Sequence, residues 1–393
     1  MRILFLNYEY PPLGGGGGVV MAALARELAR RHAVTVLTSG GLGLPPTALE
    51  GGVRVLRVPV FFRRELAVAN FPSMLAYLPM AALRAWRERW RGQFDVINTH
   101  FVVPTGPMGQ WLAARYGVPN VLSVHGGDLY DPSKSSSPHR HAPLRRVIAR
   151  LLHRADALVG QSRDTLRRVV EIYGERRSAE LIPLGIERPP RIAVAGSARD
   201  ALRAQFGLPA GAFVMVTVGR LVARKAATQL VEALQRAARP DAHLLIVGDG
   251  PEADSIRQRA AELNMAERVH LLGQVSEQRK FEALAAADVF VSTSQHEGFG
   301  LVFLEGMAYG LPVVCYDRGG QTDFLSSGQT GYVVTLNDLA AFTAALVALH
   351  DDVAERERLG QTNLVRVEEY FIDRCAQRYE SVFAAAIRRY GES

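Results

Sequence analysis

Glu297-Gly298-Phe299-Gly300-Leu301-Val302-Phe303-Leu304-Glu305 sets two carboxylates at the ends of a glycine-bearing turn and an apolar run. The β-branched stretch Val289 to Ser292 ahead of it reads as a strand, and the apolar run behind the turn opens a helix. Both acids therefore stand at a strand-to-helix junction, where a doubly wound sheet presents groups to a ligand. The backbone amides of Gly298, Phe299, Gly300 and Leu301 can donate to hydroxyls or to an anion at the helix N-terminus. Two helical turns separate the acids, so Glu297 can hold a sugar ring while Glu305 accepts from both hydroxyls of a ribose, as an acid does in dinucleotide folds. The plain structural alternative for Glu297 is a helix cap.

Working outward, apolar strands alternate with helical stretches along the whole chain. In the first half the predicted strands are 3–7, 34–38, 53–58, 96–99, 120–124, 157–160 and 180–182, with helices over 19–30, 107–116, 143–154 and 162–173. Proline, glycine and lost periodicity over 186–197 read as a connector. A second alternation follows, with strands at 213–218, 243–247, 269–272, 289–292, 313–315 and 331–334, and helix from about Asp338 onward. Strands apolar on both faces and alternating with helices imply parallel sheets covered on both sides. The expectation is an α/β chain of two Rossmann-like, doubly wound domains, 1–188 and 189–372, with a cleft between the carboxyl ends of their sheets.

Further motifs fall at the predicted strand ends. Val218-Gly219-Arg220-Leu221-Val222-Ala223-Arg224-Lys225 offers a guanidinium that can fork onto phosphate oxygens and a compact ammonium, together fit to stabilise a departing diphosphate. Gly248 lies in Gly-Asp-Gly-Pro, a strand end that also serves as an ordinary turn. Gln274 and Val275 close another strand where backbone groups can read a base edge. Near the start, Tyr10-Pro11-Pro12-Leu13 runs into five glycines, Gly14 to Gly18. Gly16 and Gly17 there permit close backbone approach to a phosphate ahead of a helix N-terminus. The spacing is not that of a dinucleotide fingerprint, which disfavours a dehydrogenase. His125-Gly126-Gly127-Asp128 ends the fifth strand, so the His125 imidazole or its carbonyl can meet a sugar, and Asp128 can orient it or receive a hydroxyl. His100 is a further candidate at a strand end.

Composition narrows the class. A chain of 393 residues with 48% hydrophobic content supports two ordinary cores. Two cysteines, Cys315 and Cys375, stand far apart without a metal-ligand spacing, and Met1 leads into a strand without a basic leader, so a cytoplasmic protein is expected. Residues 1–190 hold 25 Lys and Arg against 14 Asp and Glu, while the remainder holds 21 against 25. The net charge of +7 thus belongs to the first half, which suits an anionic partner. Residues 66–83 carry no charge but contain Pro72 and Pro79, which argues against a spanning helix. Flanked by arginines and by Trp86 and Trp90, they read as a core helix or a segment lying on an anionic membrane surface. No interleaved basic and aromatic module points to nucleic acid.

Taken in order, the glycine run, the His-Gly element, the Gly-Arg with Lys, the Gly-Asp-Gly and the two-acid motif resemble glycosyltransferase family 4, retaining transferases of the GT-B fold. Three positions depart from the family pattern: Ala226 follows Lys225 in place of glycine, Gly306 precedes Met307 in place of alanine, and Leu184 stands for an asparagine. The resemblance implies a metal-independent enzyme with no cofactor, a nucleotide-diphosphate sugar as donor, a glycan, lipid-linked or small-molecule hydroxyl as acceptor, and a role in cell-envelope polysaccharide or glycolipid synthesis. It implies Gly248 in the nucleotide pocket, and a last helix, 373–393, returning to the N-terminal domain. A sugar-nucleotide epimerase or a phosphorylase shares the architecture and stays open as an alternative.

Overall fold

The computed structural model describes residues 1–41, 43–61, 71–88, 90, 92–131, 137–192 and 196–392. The chain divides into two compact units, Met1–Glu187 with Tyr370–Ser393, and Arg188–Glu369.

The first unit holds strands β1 (Arg2–Leu6), β2 (Ala33–Gly40), β3 (Thr47–Glu50), β4 (Val53–Pro59), β5 (Val96–His100), β6 (Asn120–Val124), β7 (Ala157–Gly160) and β8 (Glu180–Leu181). Its helices are α1 (Gly16–Ala29), α2 (Phe71–Glu88), α3 (Gly106–Tyr116), α4 (Ala142–Arg154) and α5 (Arg163–Tyr173), joined by a C-terminal helix, Ile372–Gly391. The sheet order is β3-β4-β2-β1-β5-β6-β7-β8. Every pair is parallel except β3 with β4, an edge hairpin that the periodicity did not predict. Gly51 (φ 55°) and Gly52 (φ 83°) form its turn, the two left-handed residues that a tight hairpin needs.

One face of this sheet is covered by α1 and the C-terminal helix, whose Ala376, Tyr379 and Phe383 are buried with Ile3, Phe5 and Leu28. The other face carries α2 and α3, with Tyr77, Trp90 and Leu112 against Leu4, Leu37 and Ile97. Over its described part the charge-free run is helical, with Tyr77 and Ala81 fully buried on one side and Leu75 and Leu83 exposed on the other. Residues 66–70 lie outside the described residues. Among the described residues no helix is long and apolar enough to cross a membrane.

The second unit holds β9 (Phe213–Val218), β10 (Ala242–Val247), β11 (Val269–Leu271), β12 (Val289–Ser292), β13 (Val313–Tyr316) and β14 (Gly331–Val334). Their order is β11-β10-β9-β12-β13-β14, all pairs parallel. Helices α6 (Ser197–Ala204), α7 (Thr228–Ala237), α8 (Ala253–Glu262), α9 (Glu277–Ala286), α10 (Leu301–Ala308), α11 (Leu339–Asp351) and α12 (Val353–Arg366) complete it. Local sequence sets several helix starts: the Ser276, Asp338 and Asp352 side chains accept from backbone N–H groups three residues on. Strand order reverses between β1 and β5 in the first unit and between β9 and β12 in the second. Those two switch points are where an open parallel sheet leaves room for a ligand beyond its strand ends.

Candidate functional site

At the second unit's switch point, the loop after β9 carries Gly219, Arg220 and Lys225, and the loop after β12 carries Glu297. A recess there is lined by Gly219, Arg220, Lys225, Ser292 and Thr293, among others. Glu297 is 6% exposed, and its carboxylate pairs with the Lys225 ammonium and, at 3.4 Å, with Arg224. Burial alone would raise this carboxyl. The Lys225 and Arg224 charges, with the hydrogen bond from Lys225, overcome it and hold the group at about 2. Glu297 is thus an anion at any physiological pH. Its backbone also pins the loop: Glu297 N–H donates to Arg318 O (3.1 Å) and Gly320 N–H donates to Glu297 O (2.9 Å). The N-cap of α10 is Gly300, and the Glu297 carboxylate is engaged by Lys225 and Arg224.

Gly300 caps α10 at φ 95°, and a Cβ there would lie 2.4 Å from the Phe303 ring. The Phe299 side chain is buried against Phe324 (ring centroids 5.2 Å), leaving its backbone as the part available to a ligand. From the first turn of α10 the helix carries Glu305 round to Lys280 of α9, at 2.8 Å. Burial raises the Glu305 carboxyl, and Lys280 offsets part of that rise.

Beside this, β9 and β10 end in glycines that touch backbone to backbone. Gly248 sits at φ 135°, and a Cβ on it would be 2.0 Å from Gly219 O. Gly248 N–H donates to Gly273 O (2.9 Å), which brings Gln274 and Val275 next to the same strand ends; Gln274 is exposed. Arg220 is exposed and makes no ion pair among the described residues.

In the first unit the switch point gathers the glycine run, Phe101, His125 and Asp128. The run is shorter as a loop than the sequence suggested, because α1 begins at Gly16, and Gly16 and Gly17 form its first turn. Tertiary approach explains glycine inside the helix: a Cβ on Gly17 would meet Phe101 Cζ at 2.7 Å, and one on Gly18 would meet the Glu9 backbone at 3.2 Å. Phe101 in turn lies on the His125 ring (centroids 4.4 Å). Asp128 is buried and accepts from the backbone N–H of Val102 (2.7 Å) and of His125 (3.0 Å). Burial lifts it to about 6. Its oxygens therefore tie two strand-end loops together, a different task from orienting an imidazole. His100, 1% exposed, bonds His125 ring to ring.

Comparison with known proteins follows the same division. Residues 14–188 match the family described as Glycosyltransferase Family 4, and residues 198–364 match Glycosyl transferases group 1. A D-inositol 3-phosphate glycosyltransferase of Stackebrandtia nassauensis is 30% identical over 97% of this chain and 89% of its own length. The chain belongs to glycosyltransferase family 4. A GDP-mannose-dependent alpha-(1-6)-phosphatidylinositol monomannoside mannosyltransferase of Mycolicibacterium smegmatis is also 30% identical, over 91% of each chain. Among solved structures, sucrose-phosphate synthase of Thermosynechococcus elongatus superimposes with a TM-score of 0.80 at 24% identity, over 98% of this chain and 100% of the other. The fold is GT-B, as the motif order implied.

Two residues of this glycosyltransferase's site escaped the sequence reading. Lys280 was unremarked, and Arg224 was quoted without a role. A signal for the first was present, since the chain holds only three lysines, Lys134, Lys225 and Lys280, and two of them meet the two motif acids. Among the described residues no group of three or more His, Cys, Asp or Glu is gathered as metal ligands.

Proposed function

We propose that this family 4 enzyme is a retaining, metal-independent hexosyltransferase that moves a sugar from a nucleotide-diphosphate sugar, UDP- or GDP-linked, onto a hydroxyl of a glycan, glycolipid or small-molecule acceptor. The second unit binds the donor and the first supplies acceptor contacts. One observation carries the reading: the two motif acids stand at the switch-point loop of β12 and on the helix behind it, Glu297 buried and Glu305 half-buried, each paired with a lysine, with Lys225 and the exposed Arg220 lining one recess. Glu305 takes the ribose hydroxyls, and Glu297 positions the sugar. Arg220, Lys225 and the N-terminus of α10 meet charge developing on the departing diphosphate, which lets fixed cations replace a metal. Lys225 can serve both partners, because its ammonium has three donors and Glu297 engages one side of it. The acceptor hydroxyl attacks from the face the diphosphate leaves, and a diphosphate oxygen takes its proton.

The names of the two relatives, an inositol phosphate enzyme and a phosphatidylinositol mannoside enzyme, support an acceptor that carries phosphate or lipid. The outer face of α2 supports a peripheral contact with anionic membrane: Leu75, Leu83 and Trp86 are exposed there beside Arg87. That contact would place a cytoplasmic enzyme on the inner face of the membrane. Sedimentation with anionic vesicles at low salt tests it, and no binding removes it.

The donor is tested by thermal shift with UDP, GDP, ADP and their sugars, followed by product analysis with the stabilising donor. A selective nucleotide should raise the unfolding temperature by mass action. The product of an α-linked donor should be α-linked, with turnover unchanged by chelator. Inversion at the anomeric carbon or a covalent sugar adduct on Glu297 overturns the mechanism, and stabilisation by none of the nucleotides overturns the donor class.

A further inference from the structure

His125 follows β6, and its carbonyl is already engaged twice, by Gln161 Nε2 (2.6 Å) and by Gly127 N–H (2.9 Å). The carbonyl is thereby occupied, and the imidazole Nε2 is held by His100, which leaves Nδ1 as the polar atom of this residue that lacks a partner among the described residues. Nδ1 is buried. Whether that nitrogen donates or accepts is decided by a chain of bonds reaching back to β5.

Asn98 starts the chain. Its Nδ2 donates to Val121 O (2.9 Å) and to Ser123 Oγ (3.0 Å). A peptide carbonyl only accepts, so the amide orientation is settled and Asn98 Oδ1 must be an acceptor. His100 Nε2 stands 2.7 Å from that oxygen, and therefore carries the proton. Burial depresses the basicity of His100, so the ring is neutral and its Nδ1 is bare. His125 Nε2 stands 2.9 Å from that bare nitrogen and must donate to it. The His125 ring, equally desolvated, is neutral too. Its Nδ1 then has a lone pair and no hydrogen.

We infer that Asn98 and His100 are positioning residues that lock His125 in the Nε2–H form, so that His125 Nδ1 accepts a hydrogen bond from a hydroxyl of the carbohydrate substrate. The inference rests on the glycosyltransferase reading for its ligand, and on hydrogen-bond geometry together with the burial that keeps both rings neutral for its tautomer. No proton is transferred: the hydroxyl keeps its hydrogen, and the imidazole begins and ends neutral. A buried lone pair without a donor costs free energy that a substrate hydroxyl recovers on binding. The Phe101 ring on the imidazole has to yield for that contact. Phe5 stacks on the other ring, His100 (centroids 5.3 Å), and the Tyr379 hydroxyl of the C-terminal helix donates to Ser123 Oγ at 3.0 Å. Asp128 and Tyr379 are the other titratable groups facing the pair, and neither bonds an imidazole nitrogen.

The test is nitrogen-15 NMR of the full chain labelled in histidine, with His100→Gln and His125→Gln used for assignment. In the ligand-free protein His125 should show a bare Nδ1 and a protonated Nε2, unchanged from about pH 8 to pH 5.5. A protonated Nδ1, or an imidazolium at neutral pH, overturns the relay. Asn98→Asp adds a negative acceptor, so His100 takes up a proton, its Nδ1–H donates to His125 Nε2, and His125 inverts to Nδ1–H. With a working donor and acceptor, kcat/KM of that variant should fall about tenfold near pH 6 and recover as pH rises. A simple packing defect would lose activity equally at every pH. An inverted tautomer with unchanged kcat/KM, or a loss independent of pH, overturns the substrate contact. If Asn98→Asp does not fold, the wild-type spectrum still decides the relay. A wild-type spectrum as expected with no sugar transfer from any nucleotide sugar sinks the function and leaves the relay standing.

Discussion

Lys225 and Lys280 meet their acids across 72 and 25 residues of chain, and each pair is mostly out of water. Removing a buried partner costs more than the pair contributes, because the remaining charge is stranded. Lys225→Met leaves the Glu297 carboxylate with Arg224 alone, and should destabilise the fold by about 3 kcal/mol while lowering turnover at least as much as donor affinity. Glu297→Gln should cost less stability, since the surviving Lys225 ammonium is 18% exposed and can be hydrated. Denaturant unfolding of the two variants checks the order. Lys280→Met lets burial protonate Glu305, which then loses its capacity to accept from both ribose hydroxyls. Nucleoside diphosphate affinity should fall about tenfold, or about 1.4 kcal/mol, in calorimetric titration, with kcat little changed. Equal affinity would remove Glu305 from the nucleotide site. The acids were legible because a strand, a glycine turn and a helix announce their place within a few residues. Lys280 was not, because α9 meets α10 only through tertiary packing.

Elements show where glycine is obligatory. Gly248 has both a left-handed φ of 135° and a Cβ position 2.0 Å from Gly219 O, so alanine there must part β9 from β10. Gly211 has a φ of 72° and open space around it. Gly211→Ala should therefore cost about 1 kcal/mol from backbone strain alone, and Gly248→Ala several-fold more, with loss of nucleotide-induced stabilisation. Thermal unfolding with and without the stabilising nucleotide separates the two. Strand positions were readable because each is a short apolar run bounded by turn residues. The β3 hairpin was missed although Gly51-Gly52 stood in view, since β3 is an edge strand of only four residues, too short for a clear alternation. The start of α1 was misplaced because glycine is a poor helix former, and only the approach of Phe101 and Glu9 explains Gly17 and Gly18 in its first turn.

At the scale of the molecule, stability should respond to acid through the His100 and His125 pair. Burial lowers His125 to about 4 from its ordinary 6.5, so between those pH values the unfolded chain binds a proton that the fold refuses. Stability is fully present above about pH 6.5 and is lost as pH falls through 4, by up to about 3 kcal/mol for His125. Asp128, raised to about 6, acts in the opposite sense, favouring the fold as it protonates, and offsets part of this. His125→Gln should flatten the loss in chemical denaturation between pH 6.5 and 4, and an unaltered slope would deny the buried neutral ring. Periodicity and strand-end motifs alone decide that the chain is two parallel α/β units and where its chemistry-bearing loops begin, because those signals are local, repeating every two or four residues. They cannot say that Asn98 governs His125, that Asp128 bonds backbone, that lysines neutralise both motif acids, or that the last helix buries Tyr379 and Phe383 in the first unit. Those facts depend on which side chains meet once the sheets have formed, and burial then sets the charge each one carries.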